Sequence, residues 1–217
     1  MAKIFLPSCK ITAGYPKESE ALAKYIQKKF GIEPLGCCRV NYQSFTDEDT
    51  VIVICNNCSK IVEESSKAGN IQFVWDIIDS DSDFVFPNYH GESMAIQDCW
   101  ITKDNKKLQN TVRSLMKKMN IKIVEIENCY EKTDYCGINL VNPATQSNQQ
   151  LAPNLWLKRA PEIANVIPKD KQAEYFKEYC KKFKTDKVVC YCKSCVSGIN
   201  MGEKIGVHLI ELLFPIK

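Results

Sequence analysis

The sequence lacks any apolar run near the roughly 20 residues that a membrane-spanning helix requires. The first residues also hold too few apolar side chains for the roughly 7–15-residue core of a secretion signal. The sequence also has no large excess of charge of either sign, since it contains 29 Lys and Arg and 26 Asp and Glu and has a net charge of +3. We therefore expect a cytoplasmic protein with no membrane span and with neither nucleic acid nor an anionic membrane as a partner.

Several motifs of known chemistry are also missing from the 217 residues. There is no G-x-G-x-x-G or G-x-x-x-x-G-K-[ST] for nucleotide phosphates, and no H-E-x-x-H or G-x-S-x-G for hydrolysis. The C-x2-C-x2-C-x3-C-P run of a bacterial ferredoxin is absent too. Nucleotide-cofactor and hydrolase mechanisms thus have no support, and a redox reaction would need electrons from a partner.

Cysteine is what the sequence has in abundance, with twelve in 217 residues. In a reducing compartment thiols stay reduced, so a framework of structural disulfides is disfavoured. We therefore expect the cysteines to bind a metal or to take part in a redox reaction.

The chain repeats one order of predicted elements. Each half reads as strand, helix, strand, then a strand leading into C-x-x-C, then a helix and a closing strand. In the first half the strands are predicted at 3–6, before Cys37, at 50–55 and at 71–78, with a helix at 18–30 that Gly31 ends. In the second half they are predicted at 94–99, 122–127, 187–191 and 207–213, with a helix at 106–120. Alternating strands and helices with nearly continuous apolar strands predict an α/β fold of two pseudo-symmetric units with largely parallel sheets.

We place the two units at residues 1–85 and 86–217, joined by an acidic, polar linker at 80–89. The second unit also carries an irregular, proline-containing insert at 142–169. Loops of that length inside compact domains are usually functional or disordered.

The cysteines fall mainly where predicted strands end, which is where open parallel sheets bind ligands. The first half offers five candidate ligands: Cys9, Cys37, Cys38, Cys55 and Cys58. The second half offers four in matching places, and Tyr135 stands where the first half has Cys37; these four are Cys99, Cys136, Cys192 and Cys195. Five thiolates exceed the four of a tetrahedral zinc ion or an ordinary cubane, whereas four suit zinc, a cubane or a cluster with a substituted ligand.

This doubled pattern, Cys9-x27-Cys37-Cys38-x16-Cys55-x2-Cys58 and Cys99-x36-Cys136-Gly-x54-Cys192-x2-Cys195, resembles the tandem cysteine-rich (CCG) domain. That domain occurs in the B subunit of heterodisulfide reductase and in iron–sulfur subunits of lactate and glycolate oxidation. The opening segment 5–9, the segment 97–99 and the closing segment 207–213 are also similar to the family. Arg39 departs from the family, which usually has glycine there, and so does Tyr135, which breaks the second cysteine pair.

The resemblance implies two Rossmann-like units and a cytoplasmic iron–sulfur oxidoreductase module. It implies a noncubane-type [4Fe–4S] cluster in the first half, and a [4Fe–4S] cluster or zinc in the second. The partners would be an electron-donor protein or subunit and a disulfide or other small-molecule substrate, whose reductive cleavage would make the chain a disulfide-reductase-type subunit. The alternatives are a non-catalytic electron-transfer subunit and a zinc-binding structural or regulatory module.

Three cysteines and both histidines lie outside the repeated cysteine pattern. Cys129 lies seven residues before Cys136 and could replace the missing ligand. We expect Cys180 and Cys190 to be buried small hydrophobes, His90 to be a turn residue and His208 to be structural.

Overall fold

Two parallel sheets form the framework of the protein in a computed structural model, which describes residues 2–216. The first sheet has the order β1-β2-β3, with β1 at Lys3–Leu6, β2 at Thr50–Val53 and β3 at Asn70–Phe73. The second has the order β5-β4-β6-β7, with β4 at Ser93–Gln97, β5 at Lys122–Val124, β6 at Lys187–Cys190 and β7 at Ile205–His208. The predicted α/β class and the pair of parallel sheets are thus confirmed.

Helices connect the strands and cover the sheets. The α-helices of the first unit are α1 (Cys9–Gly14), α2 (Pro16–Phe30), α3 (Cys38–Asn41), α4 (Asn56–Ser65) and α5 (Val74–Ser80). Those of the second unit are α6 (Lys106–Lys118), α7 (Ile138–Val141), α8 (Gln146–Leu151), α9 (Lys169–Cys180), α10 (Lys193–Met201) and α11 (Leu209–Leu213). Short 3₁₀ turns and a π-helix at Asn154–Arg159 complete the chain.

Local chemistry explains why these elements form. Strand β2 has the β-branched sequence Thr-Val-Ile-Val and lies in the middle of the first parallel sheet, where all four of its residues are buried. Such residues favour a strand that is covered on both faces. Helix α2 buries Leu22 and Ile26 on one face and ends at Gly31, whose φ of 65° is the left-handed conformation typical of a helix C-cap. Helix α6 begins at Asn105, whose side chain accepts a hydrogen bond from the backbone N–H of Leu108.

Three predicted strands need correction. The strand expected before Cys37 is only an isolated bridge between Phe5 and Pro34, because proline has no N–H to donate to a ladder. The strands expected at 71–78 and 207–213 end at Phe73 and His208, and both continue as helices, α5 and α11. The bridge at Pro34 occupies the position in the first sheet that β5 has in the second, so the repeated order survives.

The insert at 142–169 is folded rather than irregular, since it contains α8, the π-helix and a 3₁₀ turn. The two halves also touch through their helices, where Thr111 and Ser114 of α6 donate 2.7 Å hydrogen bonds to Asp76 and Asp79 of α5. Within residues 2–216, none of the helices has the length and apolar character needed to cross a bilayer.

Candidate metal centres

Four buried thiols gather in the second unit, and we call them the second site: Cys99, Cys136, Cys192 and Cys195. The Sγ atoms of Cys99, Cys192 and Cys195 all lie within 4.8 Å of one another, and the Sγ of Cys136 lies 3.9 Å from that of Cys99. Four thiolates bound to one tetrahedral ion with metal–sulfur bonds of about 2.3 Å are separated by about 3.8 Å. The buried cysteine group can therefore hold a metal ion.

The parallel sheet brings three of these thiols together. Cys99 lies two residues after the end of β4 and Cys192 two residues after the end of β6, and these strands are hydrogen-bonded neighbours. Cys192 is the N-cap of α10 and Cys195 lies in its first turn. The free N–H groups and the positive end of the helix dipole at that position favour the thiolate over the thiol.

Gly137 fixes the fourth thiol. Its φ of 56° and ψ of −135° are open only to glycine, and a Cβ at this position would overlap the carbonyl group of Ser194 and lie 2.6 Å from the Cα of Cys195. This close approach sets the backbone of Cys136 directly against the start of α10. The Asn139 amide then donates a 3.3 Å hydrogen bond to the Cys136 sulfur.

Tyr135 takes the place that a fifth thiol would have. Its side chain is fully buried, stacks on Tyr179 with ring centroids 4.2 Å apart, and meets Phe176 edge-on. Its hydroxyl donates a 3.4 Å hydrogen bond to the carbonyl oxygen of Cys195. The second site is consequently a closed group of four thiols.

Three thiols of the second site have shifted pKa values. Hydrogen bonds from Cys136, Cys195 and Cys99 hold the pKa of Cys192 well below its ordinary value. Burial raises the pKa values of Cys99 and Cys195. Metal binding displaces thiol protons, so a bound cation would stabilise the thiolate forms of these side chains.

The five cysteines of the first unit also come together, and we call them the first site. Cys38 donates a hydrogen bond to Cys58, Cys55 lies near Cys58, and Cys9 lies near Cys37. The Sγ atoms of Cys38 and Cys58 are 3.2 Å apart. Cys38 and Cys58 are buried, Cys37 and Cys55 are half-buried and Cys9 is exposed, so this site opens to the surface at one end.

The first site resembles the second in its position on the fold. Cys37 and Cys55 are the N-caps of α3 and α4, as Cys192 is of α10. The hydrogen bond from Cys58 lowers the pKa of Cys55 to about 7, although the nearby charge of Cys192 opposes the shift. The two units touch beside these sites, where Lys193 donates a 3.3 Å hydrogen bond to the Tyr15 hydroxyl and the rings of Tyr15 and His208 lie 5.2 Å apart. We call this region the seam, and the charge of Cys192 acts on Cys55 across it.

Five buried polar side chains at or just past strand ends have atoms without a partner at hydrogen-bonding distance among the described residues. They are the Ser8 hydroxyl, the Asn56 amide, Trp75 Nε1, Trp100 Nε1 and His208 Nε2. Ser8 is also held at a φ of 66°, a strained conformation for a residue with a side chain. Unpaired buried donors of this kind indicate a bound acceptor such as a thiolate, a sulfide or an ordered water.

The insert of the second unit covers the first site, which the sequence did not predict. Arg39 and Asn57 flank the first-site cysteines and donate hydrogen bonds of 2.6 and 3.2 Å to the Asn148 side chain of α8. Trp156, in the π-helix, donates a 2.9 Å hydrogen bond to Asn57. The polar run of the insert was visible in the sequence, but nothing in it indicated which surface the insert would cover.

A buried ion network supports the second site from behind. Asp98, next to Cys99, is fully buried and accepts hydrogen bonds from Arg113 at 2.7 and 3.1 Å. It also accepts a 3.0 Å bond from the Tyr191 hydroxyl, which in turn accepts a 3.2 Å bond from the backbone N–H of Cys99. This network ties the residues preceding Cys99 and Cys192 to each other.

The remaining cysteines lie apart from both sites. Cys180 and Cys190 are buried, with Cys180 packed at the end of α9 and Cys190 inside β6. Cys129 is half-buried beside Arg113 and Glu125, and the structure does not bring it together with the four thiols of the second site. Its proposed replacement of a missing ligand is therefore not supported by the geometry of the described residues.

No family model, curated protein or solved structure matches this chain.

Proposed function

We propose that the chain is an iron–sulfur oxidoreductase module whose first site holds a noncubane-type [4Fe–4S] cluster, as its resemblance to the B subunit of heterodisulfide reductase implies. The observation that carries the proposal is that five cysteines gather near the hydrogen-bonded thiols of Cys38 and Cys58. Five ligands are more than a single tetrahedral ion or a cubane can use. Adjacent cysteines such as Cys37 and Cys38 suit a larger centre, because their side chains need not converge on one point.

The surroundings of the first site fit such a group. Sulfides and thiolates accept hydrogen bonds, and the buried Ser8 hydroxyl is a donor beside Cys55. Burial raises the pKa of Cys9, and the hydrogen bond with Cys58 lowers the pKa of Cys38. The positive charge of Arg39 favours the thiolate form of both residues. Asn148 holds the Arg39 guanidinium through the 2.6 Å hydrogen bond.

The exposed end of the first site is where a substrate or an electron donor would approach, because Cys9 is exposed and Cys37 half-buried. When bound, the cluster would supply a one-electron carrier whose iron can bind sulfur. Reductive cleavage of a disulfide consumes two electrons and two protons and gives two thiols. A partner protein must deliver those electrons, since the chain has no nucleotide- or flavin-binding motif.

A second candidate function is favoured by the spacing of the second site. Sγ atoms 3.9 Å apart, with three thiols within 4.8 Å, match one tetrahedral ion, whereas a cluster needs ligands spread around several irons. We therefore propose that the second site holds zinc, with a [4Fe–4S] cluster as the alternative. If zinc filled both sites, the chain would be a structural or regulatory module.

Metal and sulfide analysis of anaerobically prepared protein tests these proposals. We expect about four irons and four sulfides per chain from the first site, with an electron paramagnetic resonance signal on reduction, and about one zinc from the second. Cys37→Ser should remove iron and leave zinc in place. The matched control Cys180→Ser should change neither metal, because Cys180 lies outside both sites.

Stoichiometric zinc without acid-labile sulfide would refute the iron–sulfur proposal and leave the zinc module. Loss of iron in the Cys180→Ser variant would refute the ligand assignment. Turnover of a disulfide with a reduced donor separates the two redox roles, since an intact cluster that is inert to disulfides supports electron transfer alone.

A further inference from the structure

His208 is a buried histidine with a donor that has no acceptor. Its side chain is fully buried, and its Nδ1 accepts a 3.2 Å hydrogen bond from the backbone N–H of Ile210 at the start of α11. Because Nδ1 accepts this hydrogen bond, it carries no proton, and the proton of the ring is on Nε2. That Nε2–H has no partner among residues 2–216, which is unfavourable for a buried donor.

The fold puts this donor beside the second site. His208 is the last residue of β7, and the strand register pairs it with Cys190 of β6, two residues before Cys192. The ring lies at the seam, since its centroid is 5.2 Å from that of Tyr15 and 6.2 Å from that of Trp75, both in the first unit.

Cys192 and Lys193 are the neighbours that act electrostatically on the ring. Glu211, on the same element, accepts a hydrogen bond from the backbone N–H of His208. Of these three neighbours, Cys192 is the acceptor that remains for the ring.

We propose that His208 is a positioning residue of the second site, whose Nε2–H donates to the Cys192 sulfur when that thiolate binds metal. This inference rests on the proposed metal content of the second site. Hydrogen bonds from groups behind the ligands orient metal ligands and tune a site, and their loss typically costs 10–100-fold in metal affinity. This hydrogen bond would give the Nε2–H an acceptor, and it would reduce the negative charge that the Cys192 sulfur donates to the metal.

The first unit supplies an internal comparison. At the end of β3, Phe73 occupies the position of His208, since it pairs with Val53 in the register that His208 shares with Cys190. The phenylalanine side chain cannot donate a hydrogen bond, so the first site has no counterpart of the proposed His208 hydrogen bond at this position.

His208 also caps α11, and a test must separate this role from donation to sulfur. The cap uses Nδ1, whereas the proposed donor is Nε2. Asparagine is a good N-cap that can accept through Oδ1, but it has no group at the position of Nε2. Glutamine places an amide N–H near the position of Nε2 and loses the cap. His208→Asn therefore removes the donor, and His208→Gln removes the cap.

The experiment is titration of the metal-free full-length chain with Co²⁺, in a Cys37→Ser, Cys38→Ser background that disables the first site. Tetrahedral thiolate-bound Co²⁺ gives sulfur-to-metal charge-transfer bands that report the second site directly, and circular dichroism checks that each variant folds. We expect His208→Asn to shift these bands and to weaken Co²⁺ binding 10–100-fold, at a folding stability near that of the parent. We expect His208→Gln to keep the bands and the affinity, with a lower melting temperature.

The reverse pattern, with affinity and bands lost only in His208→Gln, would assign His208 to capping and overturn the inference. Parent-like Co²⁺ spectra and affinity in both variants would overturn it as well, while leaving the metal site intact. Failure of the parent itself to bind Co²⁺ through thiolates would instead refute the proposed second site, and this inference with it.

Discussion

Replacement of Gly137 by alanine should destabilise the protein far more than the same change at Gly31. Both glycines have positive φ values, 56° and 65°, so both variants carry a backbone penalty. They differ in the space around them. No atom lies within 4 Å of a Cβ built on Gly31, whereas a Cβ on Gly137 overlaps the Ser194 carbonyl and is 2.6 Å from the Cα of Cys195.

The size of the effect follows from these distances. Gly31→Ala should cost about 1–2 kcal/mol, the price of a left-handed residue with a side chain. In Gly137→Ala the Cβ would lie 1.8 Å from the Ser194 carbonyl oxygen, far inside the distance of ordinary contact, and the obstacle is backbone that cannot rotate away. Strain of about 1–3 kcal/mol at its unusual φ and ψ adds to about 1–3 kcal/mol of overpacking.

Urea unfolding of both metal-free variants measures the difference in free energy of unfolding. Thermal unfolding gives a second measurement: at about 2–4 °C per kcal/mol for a chain of this size, a loss of about 4 kcal/mol lowers the melting temperature by about 8–16 °C. Gly137→Ala should also lower the metal content of the second site, because Cys136 must move away from α10, and Gly31→Ala should keep it. Equal loss of stability in the two variants, with wild-type metal content in both, would refute the close approach of Gly137 to α10.

Two further predictions concern charged groups. Arg113→Met leaves the fully buried Asp98 carboxylate without its ion-pair partner and should lower the free energy of unfolding in urea by about 3–5 kcal/mol. The control Lys177→Met breaks an exposed ion pair and should lower it by at most about 1 kcal/mol. Comparable losses in the two variants would contradict the role of the buried network. The Tyr25 hydroxyl donates a 2.7 Å hydrogen bond that lowers the pKa of Asp81, so this carboxylate stabilises the fold above its unfolded pKa and the stabilisation is lost as pH falls through the folded pKa. Tyr25→Phe should therefore reduce stability at neutral pH and flatten its decline below about pH 4, and an unchanged pH profile would refute the linkage.

The sequence pattern predicted the parallel sheets because their strands are short, apolar and β-branched, as in Thr50–Val53. It failed where apolar runs continue past a strand. Residues 74–78 and 209–213 are buried on most sides, and a continuous apolar run has the same appearance in a buried helix as in a buried strand. The missed signal in the second case was local: His208 and Glu211 form a capping box that starts a helix.

The candidate site was predictable to the extent that it depends on local order. Strand ends at the same edge of a parallel sheet collect side chains, which is why Cys99 and Cys192 could be placed together from the alternation of strands and helices. The meeting of Cys55 with Cys192 at the seam depends on how two separate sheets pack, and no periodicity in the chain encodes that packing. The same holds for Asn148, which reaches Arg39 across 109 residues.

The different exposure of the two sites argues for different roles within the proposed function. Structural metal sites are closed, with every ligand position filled by protein, whereas reactive sites keep an open position. The second site has four buried thiols, and the Tyr135 ring fills the place of a fifth. The first site has an additional thiol and opens to the surface at Cys9. Within that proposal a disulfide substrate could reach the first site at Cys9 but not the buried second site, so the exposure of the two sites favours a reactive role for the first and a structural role for the second.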